Sequence, residues 1–176
     1  EKSVIITLKG NLQKEFEKNK EFVVKFLTEE KIRYADFAAF GAASVVLFSI
    51  LIEQEKLVKR AVLIEPTFRA YPTLYEKILD KIEAFLPLGL PFRKISSSFD
   101  GRPYAQAFRA PVLILTQKNS SSFLQIQAKS MAEKMPNAWI YTVEQDLPSE
   151  AAKAIEIFRK MPLKCPQKKG ELFKQL

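Results

Sequence analysis

Short runs of β-branched and other apolar residues alternate along the chain with longer stretches in which apolar residues recur at helical spacing. The short runs are typical of strands buried on both faces, and the longer stretches are typical of helices with one buried face. Several of these runs and stretches end at a glycine or a proline, as expected at the ends of strands and helices. The pattern predicts strands at Ser3–Gly10, Tyr34–Phe40, Arg60–Pro66, Ala110–Lys118 and Asn137–Gln145.

Helices are predicted between these strands. Asn11 and Ser149 each open such a stretch with a side chain that suits an N-cap, and lysines up to Lys59 suit the carboxyl end of a helix. The predicted helices are Asn11–Lys31, Ala42–Lys59, Thr73–Leu86, Phe123–Met135 and Ser149–Lys160.

The alternation of strands and helices predicts an α/β fold, with a mostly parallel sheet of about five strands and helices on both faces. Residues 67–109 interrupt the alternation. We expect them to form a cap-like helical and irregular insertion above the carboxyl edge of the sheet, where ligands bind in such folds. The sequence therefore predicts one domain, residues 1–161, followed by a C-terminal tail, residues 162–176.

The segment Tyr34–Ser44, YADFAAFGAAS, contains the most informative turn, because a short apolar run reaches Gly41 and an apolar helical pattern follows at once. RAVLIEP, APVLILTQKN and MPNAWIYTVEQDLP follow it in order. Together these segments resemble the C-terminal two-thirds of the α/β-hydrolase fold superfamily. The resemblance extends over roughly residues Ser3–Lys160.

The resemblance implies a Ser-His-acid triad, which this sequence does not supply. The nucleophile position falls on Gly41, the acid position on Asn119 and the histidine position on Asp146. Ala39 and Ala43 keep the small neighbours that the nucleophile turn of this superfamily requires. The first strands of the fold have no counterpart. We therefore expect a degenerate, N-terminally shortened member that keeps the turn and is not an enzyme.

Other side chains could supply acyl chemistry at the same edge. Ser44 follows Gly41 closely and could act as a displaced nucleophile, with Lys118 as its base. Glu65 and Asp146 could meet above the sheet and share acid–base work. More often, such residues begin helices or pair with lysines. The serine-rich segments SSSFDGRPY and KNSSSF could bind phosphate, but are typical of solvated loops.

Composition limits the possible partners. The 176 residues carry a formal net charge of +8, with cations mostly interleaved with Glu and Asp. Such a pattern is typical of a solvated basic surface. The segment Phe92–Arg109 alone combines basic and aromatic residues, so nucleic acid is not favoured as a partner. The longest uncharged run, Phe37–Ile52, is shorter than the ~20 residues of a membrane-spanning helix, so no transmembrane segment is expected.

The chain contains no histidine and one cysteine, Cys165. Histidine is the commonest metal ligand, and we expect neither a metal site nor a cofactor. A lone cysteine forms no internal disulfide and fits a reducing, intracellular compartment. The basic charge and the start at Glu1 rather than Met favour an organelle matrix, the mitochondrial one, over the cytosol.

Aromatic residues cluster in the insertion, where they could cover an acyl or lipid ligand or contact a partner. With the triad positions empty, the sequence favours a non-catalytic protein that acts through protein contacts, as a structural or accessory subunit of a larger assembly. Two alternatives stay open: an esterase or acyl hydrolase with a non-standard site or a missing N-terminal segment, and a lipid or acyl carrier. The aromatic candidates are Tyr71, Tyr75, Phe92, Phe99, Tyr104 and Phe108.

Overall fold

The protein, in a computed structural model that describes residues 4–8, 15–68, 99–144 and 146–161, folds around a four-stranded sheet. The strands pair in chain order and every pair is parallel, so a crossover connection joins each strand to the next. The expected α/β architecture is confirmed. The strands are β1 (Ala35–Phe40), β2 (Val58–Ile64), β3 (Val112–Gln117) and β4 (Ala138–Val143).

Helices accompany the strands on both faces of the sheet. The described α-helices are α1 (Phe16–Glu29) before β1, α2 (Ala43–Glu53) between β1 and β2, α3 (Ser122–Lys134) between β3 and β4, and α4 (Leu147–Lys160) after β4. Single turns of 3₁₀ helix lie at Glu55–Leu57 and Arg102–Tyr104.

Alternate residues of a strand face opposite sides of a sheet, and in β3 both sides are buried. Val112 and Ile114 pack in one cluster with residues of α2 and α3. Leu113 and Leu115 pack in another cluster with residues of α4. An unbroken apolar run is what a parallel strand covered on both faces requires, which is why the sequence pattern identified this strand.

The helix α2 is buried from two directions. Leu47 and Phe48 face the sheet, whereas Val45, Val46 and Ile50 pack with residues of α1. A helix that is apolar on all sides is stable only when it is enclosed in this way. The burial of α2 fixes the position of its amino end, which follows directly from β1.

The predicted strand at Ser3–Gly10 is wrong over the part that the structure describes. Residues 4–8 have no regular secondary structure, and Val4 and Ile5 are 48% and 92% exposed. A strand forms only where a neighbouring strand accepts and donates its backbone hydrogen bonds. In the described part of the chain, β1 pairs with β2 alone. The β-branched composition therefore indicated a propensity that no neighbouring strand satisfies there.

The predicted end of the second helix is also wrong. α2 ends at Glu53 instead of Lys59, because β2 begins at Val58 and pairs there with Ala35 of β1. The lysines predicted at the carboxyl end of the helix lie in the connection and in β2. Tertiary pairing has overridden local helix propensity.

The last helix begins earlier than the sequence predicted. Asp146 takes the N-cap position and α4 starts at Leu147, so Ser149 lies inside the first turn and is not the cap. Pro148 explains the difference, because proline is favoured in the first turn, where its missing N–H has no acceptor to lose.

Several predictions fall on residues outside the described ranges. These are Asn11 as an N-cap, the helix Thr73–Leu86, most of the insertion 67–109, and the tail 162–176 with Cys165. The predicted domain boundaries therefore stay predictions.

Replacement of Gly101 by alanine is expected to destabilise the fold. A Cβ atom at this position would lie 2.5 Å from Cδ1 and 2.6 Å from Cε1 of Phe48. Phe48 is fully buried and packs edge-on against Phe68 and Phe108, so its ring has no room to move. We expect Gly101→Ala to lower the free energy of unfolding by about 1–3 kcal/mol, measured by urea denaturation.

The double variant Gly101→Ala/Phe48→Leu tests the cause. Leucine lacks Cε1, and its δ-carbons can rotate away from the new methyl group, so the two losses should not add in a double-mutant cycle. Additive losses would show that the strain arises elsewhere.

Candidate functional site

The carboxyl ends of the four strands meet at one edge of the sheet, where parallel α/β proteins bind ligands. Gly41 follows β1, Glu65 follows β2, Ser120 lies just past β3 and Glu144 follows β4. Residues that are distant in the sequence are therefore neighbours at this edge.

Gly41 forms the turn between β1 and α2. Its φ angle is +56°, a left-handed conformation that glycine adopts without the strain a Cβ would add. Its N–H donates a hydrogen bond to the carbonyl oxygen of Ile64, at the end of β2, at 2.8 Å. The backbone therefore makes a sharp strand-to-helix turn, and the residue at its corner has no side chain.

Ser44 ties this turn to the loop after β2. Its hydroxyl oxygen lies 2.5 Å from the carbonyl oxygen of Gly41 and 3.0 Å from that of Thr67. It also accepts a hydrogen bond from the N–H of Thr67 at 2.9 Å. Ser44 is 0% exposed. A hydroxyl this buried, with backbone groups around it, cannot reach a substrate, so Ser44 is a structural tie and not a displaced nucleophile.

Glu65 and Ser120 form a second polar pair. The hydroxyl of Ser120 lies 2.6 Å from Oε1 and 2.7 Å from Oε2 of Glu65, so it donates to the carboxylate. The N–H of Gln117 donates to the Ser120 hydroxyl oxygen at 3.2 Å and to Oε1 of Glu65. Glu65 and Ser120 are both partly exposed. A serine whose proton is directed at a carboxylate has the arrangement of a nucleophile beside a general base.

The backbone of Glu65 is strained. Its φ angle is +49°, which is unusual for a residue with a Cβ. The N–H of Glu65 still donates to the carbonyl oxygen of Leu115 at 2.8 Å, so the turn begins only after the last bond to β3. Strain of this kind costs about 1–3 kcal/mol and is concentrated at functional sites.

Gln125 on α3 holds the loop that carries Ser120. Its Nε2 atom lies 2.8 Å from the carbonyl oxygen of Lys118, 3.0 Å from that of Ser120 and 3.4 Å from that of Gln117. Ser121 is the N-cap residue of α3. Ser120 is therefore fixed directly in front of the amino end of this helix.

Two carboxylates after β4, those of Glu144 and Glu150, interact with groups other than Ser120 and Glu65. Glu150 accepts hydrogen bonds from the hydroxyl of Tyr141 at 3.3 Å and from the N–H of Glu144 at 3.1 Å. Burial and then the nearby charge of Glu150 raise the pKa of Tyr141 above its ordinary value of 10.0, so the phenol stays protonated at neutral pH. Lys118 forms an exposed ion pair with Glu144 at 3.6 Å, and is not placed as a base beside Ser44.

The positions that the resemblance assigned to the acid and the histidine are both exposed. Asn119 lies in the turn after β3, and Asp146 is the N-cap residue of α4. In the described contacts, the carboxylate of Glu65 meets Ser120 and Gln117 rather than Asp146. The alternative that Glu65 meets Asp146 is not seen in the described contacts, because the turn at Glu65 directs its side chain to the loop after β3.

Three of the six aromatic candidates lie in the described ranges. Phe108 is 3% exposed and packs edge-on against Phe48 in the core, so it offers no surface to a ligand or partner. Phe99 stacks between Phe16 and Tyr104, with ring centroids 5.6 Å and 6.5 Å away, and Tyr104 stays 49% exposed. The candidates outside the described ranges are Tyr71, Tyr75 and Phe92.

Ser120 is the residue that the sequence reasoning missed. The composition of its segment, KNSSSF, is typical of a solvated loop, whereas the structure gives Ser120 a carboxylate partner from the end of β2. The available signal was positional: a serine directly after one buried strand lies at the same sheet edge as an acid directly after the neighbouring strand.

The described ranges contain no group of three or more His, Cys, Asp or Glu side chains placed to hold a metal ion. None of the helices in the same ranges combines the length and apolar character needed to cross a membrane.

Comparison with known proteins identifies the fold. The sequence matches no family model and no curated protein. Solved structures do match. MGS-M2, an α/β hydrolase enzyme from a Medee basin deep-sea metagenome library, has a TM-score of 0.60 and 14% identity over 82% of this chain and 71% of its own.

Two further structures give the same result. An α/β fold family hydrolase from Bacillus anthracis str. Sterne has a TM-score of 0.57 and 13% identity over 83% of this chain and 74% of its own. The enol-lactonase from Burkholderia xenovorans LB400 has a TM-score of 0.55 and 15% identity over 79% of this chain and 69% of its own.

These comparisons contradict the expectation that the chain is not an enzyme, because the similar structures are hydrolases and a lactonase. The expectation rested on the three triad positions, which carry Gly41, Asn119 and Asp146 in this chain. The loss of that triad does not exclude catalysis by other residues. The solved structures and the parallel sheet agree on the architecture. The chain is an α/β-hydrolase-fold protein.

Proposed function

We propose that this protein is an esterase or related acyl hydrolase with a non-standard site, in which Ser120 replaces the residue at the β1–α2 turn as nucleophile. The hydrogen bond from the Ser120 hydroxyl to the Glu65 carboxylate carries the proposal. The similar structures support it, because they are named as hydrolases and a lactonase. Such a site needs no histidine, in agreement with the composition.

Glu65 acts as the general base. As Oγ of Ser120 bonds to the carbonyl carbon of an ester, its proton passes to Glu65 and the carbonyl π electrons move to oxygen. The intermediate collapses, the ester C–O bond breaks, and the leaving alkoxide takes the proton from Glu65. A water molecule then attacks the acyl-serine and gives a proton to Glu65, which returns it to Ser120 as the acid leaves.

The helix α3 stabilises the charge that develops on the substrate oxygen. Ser120 lies directly before its amino end, where the first backbone N–H groups have no acceptor within the helix and the helix dipole is positive. Donors fixed in this way stabilise an oxyanion without rearrangement. Gln125 keeps Ser120 at this position by holding the loop carbonyls.

Removal of either member of the pair is expected to remove activity. Ser120→Ala deletes the nucleophile and should abolish saturable hydrolysis of short p-nitrophenyl esters. Glu65→Gln keeps the size of the side chain but not its basicity, and should lower kcat by about 10²–10⁴-fold. Steady-state kinetics of the purified chain measure both effects.

Ser149→Ala is the matched control, because Ser149 is an exposed serine of α4 and is not among the described hydrogen-bond partners of Ser120 and Glu65. Its kinetics should equal those of the unmodified chain. Ester hydrolysis that survives both Ser120→Ala and Glu65→Gln would contradict the assignment of the site. Capture of an acyl ligand without any turnover would contradict the esterase and favour a carrier.

Ser44→Ala should affect stability instead of chemistry. The change leaves the N–H of Thr67 without the acceptor that it has at 2.9 Å. Loss of a partly buried hydrogen bond costs about 0.5–1.5 kcal/mol, so we expect a loss of this size in urea denaturation. Activity measured well below the unfolding transition should persist. Complete inactivation of a folded Ser44→Ala protein would show that Ser44 is the nucleophile.

A place in a larger protein assembly and a location in the mitochondrial matrix stay predictions from charge and composition. Both predictions are compatible with an enzyme, since an enzyme can be a subunit of an assembly and can lie in the mitochondrial matrix. Co-purification of the chain with partners in fixed ratio, under mild conditions, would support the first.

A further inference from the structure

Asp100 and Gly101 form the one Asp–Gly pair of the sequence, which contains no Asn–Gly pair. Such a pair is chemically reactive, because glycine has no side chain that keeps its backbone nitrogen away from the neighbouring carboxyl carbon. Gly101 is buried, whereas the side chain of Asp100 is 31% exposed. Water therefore reaches the carboxylate, and a reaction within this pair needs no enzyme.

Arg102 holds the carboxylate of Asp100 through both oxygen atoms. Its Nε lies 2.9 Å from Oδ1, and its Nη2 lies 2.6 Å from Oδ2. The backbone N–H of Arg102 donates a further hydrogen bond to Oδ1, at 3.1 Å. A guanidinium that binds both oxygens in this way stabilises the ionised carboxylate. The ionised form reacts slowly with an amide nitrogen, because its oxygen leaves as water only after protonation.

The backbone nitrogen of Gly101 is restrained as well. Its N–H donates a hydrogen bond to the carbonyl oxygen of Phe68, a fully buried residue, at 3.0 Å. The ring of Phe48 leaves no room beside the glycine, since a Cβ there would lie 2.5 Å from Cδ1 of that ring. Gly101 therefore reaches the carboxyl carbon of Asp100 only if this hydrogen bond breaks and a packed ring moves.

We propose that Asp100 is a site of spontaneous isomerisation to isoaspartate, which the contacts of the folded protein suppress. The nitrogen of Gly101 bonds to Cγ of Asp100, and one carboxylate oxygen leaves as water with the amide proton and a proton from solvent. The product is a five-membered succinimide ring. The site is separate from Ser120 and Glu65 and does not depend on the proposed esterase.

A water molecule opens the ring. It adds to the main-chain carbonyl carbon of Asp100, and the bond from that carbon to the nitrogen of Gly101 breaks. The nitrogen takes no proton, because it stays bonded to Cγ until its amide proton returns from the attacking water. A new α-carboxylate forms and its second proton passes to solvent. The main chain then runs through Cγ and is longer by one methylene group, directly before a glycine that already contacts Phe48.

Incubation of the full chain at neutral pH, followed by peptide mapping with mass spectrometry, tests the proposal. We expect isoaspartate at Asp100 to form at least about tenfold faster in guanidinium chloride than in the folded chain, because unfolding removes the hydrogen bonds of Asp100 and Gly101. Arg102→Gln should raise the rate in the folded chain about fivefold, which equals ~1 kcal/mol for one exposed ion pair. Arg102→Gln and the unmodified chain should react at equal rates when unfolded.

Two variants serve as controls. Arg33→Gln removes an exposed arginine that makes none of the described contacts with Asp100, and its rate should equal that of the unmodified chain. Asp100→Glu keeps a carboxylate near Arg102 but cannot close a five-membered ring, so no isomer should form at this position. Thermal unfolding shows that each variant is folded.

Equal rates in the folded and the unfolded chain would overturn the proposal, because the fold would then not suppress the reaction. The absence of isoaspartate at Asp100 in the unfolded chain would show that this residue is not the site. A folded Arg102→Gln chain that reacts no faster than Arg33→Gln would overturn the protection by the ion pair.

Discussion

The parallel pairing of β1 to β4 is the constraint on which the rest of the structure depends. Parallel neighbours cannot be joined by a tight turn, so the chain crosses a face of the sheet between strands and helices cover both faces. The same pairing brings the carboxyl ends of all four strands to one edge. Gly41, Glu65 and Ser120 are neighbours for this reason alone, although nothing local in the sequence connects them.

Much of this architecture could be predicted from the sequence. The runs in β2 and β3 are apolar at successive positions because both faces are buried, and this is a direct physical signature. The segment Ser3–Gly10 has the same composition, but a strand also needs a neighbour, and composition does not report one. The predicted end of α2 was wrong for a related reason, because the pairing of Val58 with Ala35 of β1 sets where the helix must end.

The site was less predictable than the fold. The resemblance to a hydrolase assigned the triad positions to Gly41, Asn119 and Asp146. Whether Glu65 meets Asp146 or Ser120 depends on one backbone angle, the positive φ of Glu65, and residues with a Cβ seldom adopt it. Residue propensities do not indicate this angle, and composition alone predicts a solvated loop after β3.

The three carbonyl groups gathered around the amide of Gln125 have a further consequence. A loop held in one conformation has already lost its conformational entropy when the chain folds. A ligand that docks against it does not have to order it, and more of the contact energy appears as affinity. The loop is therefore ordered before any ligand binds, and its order is not induced by binding.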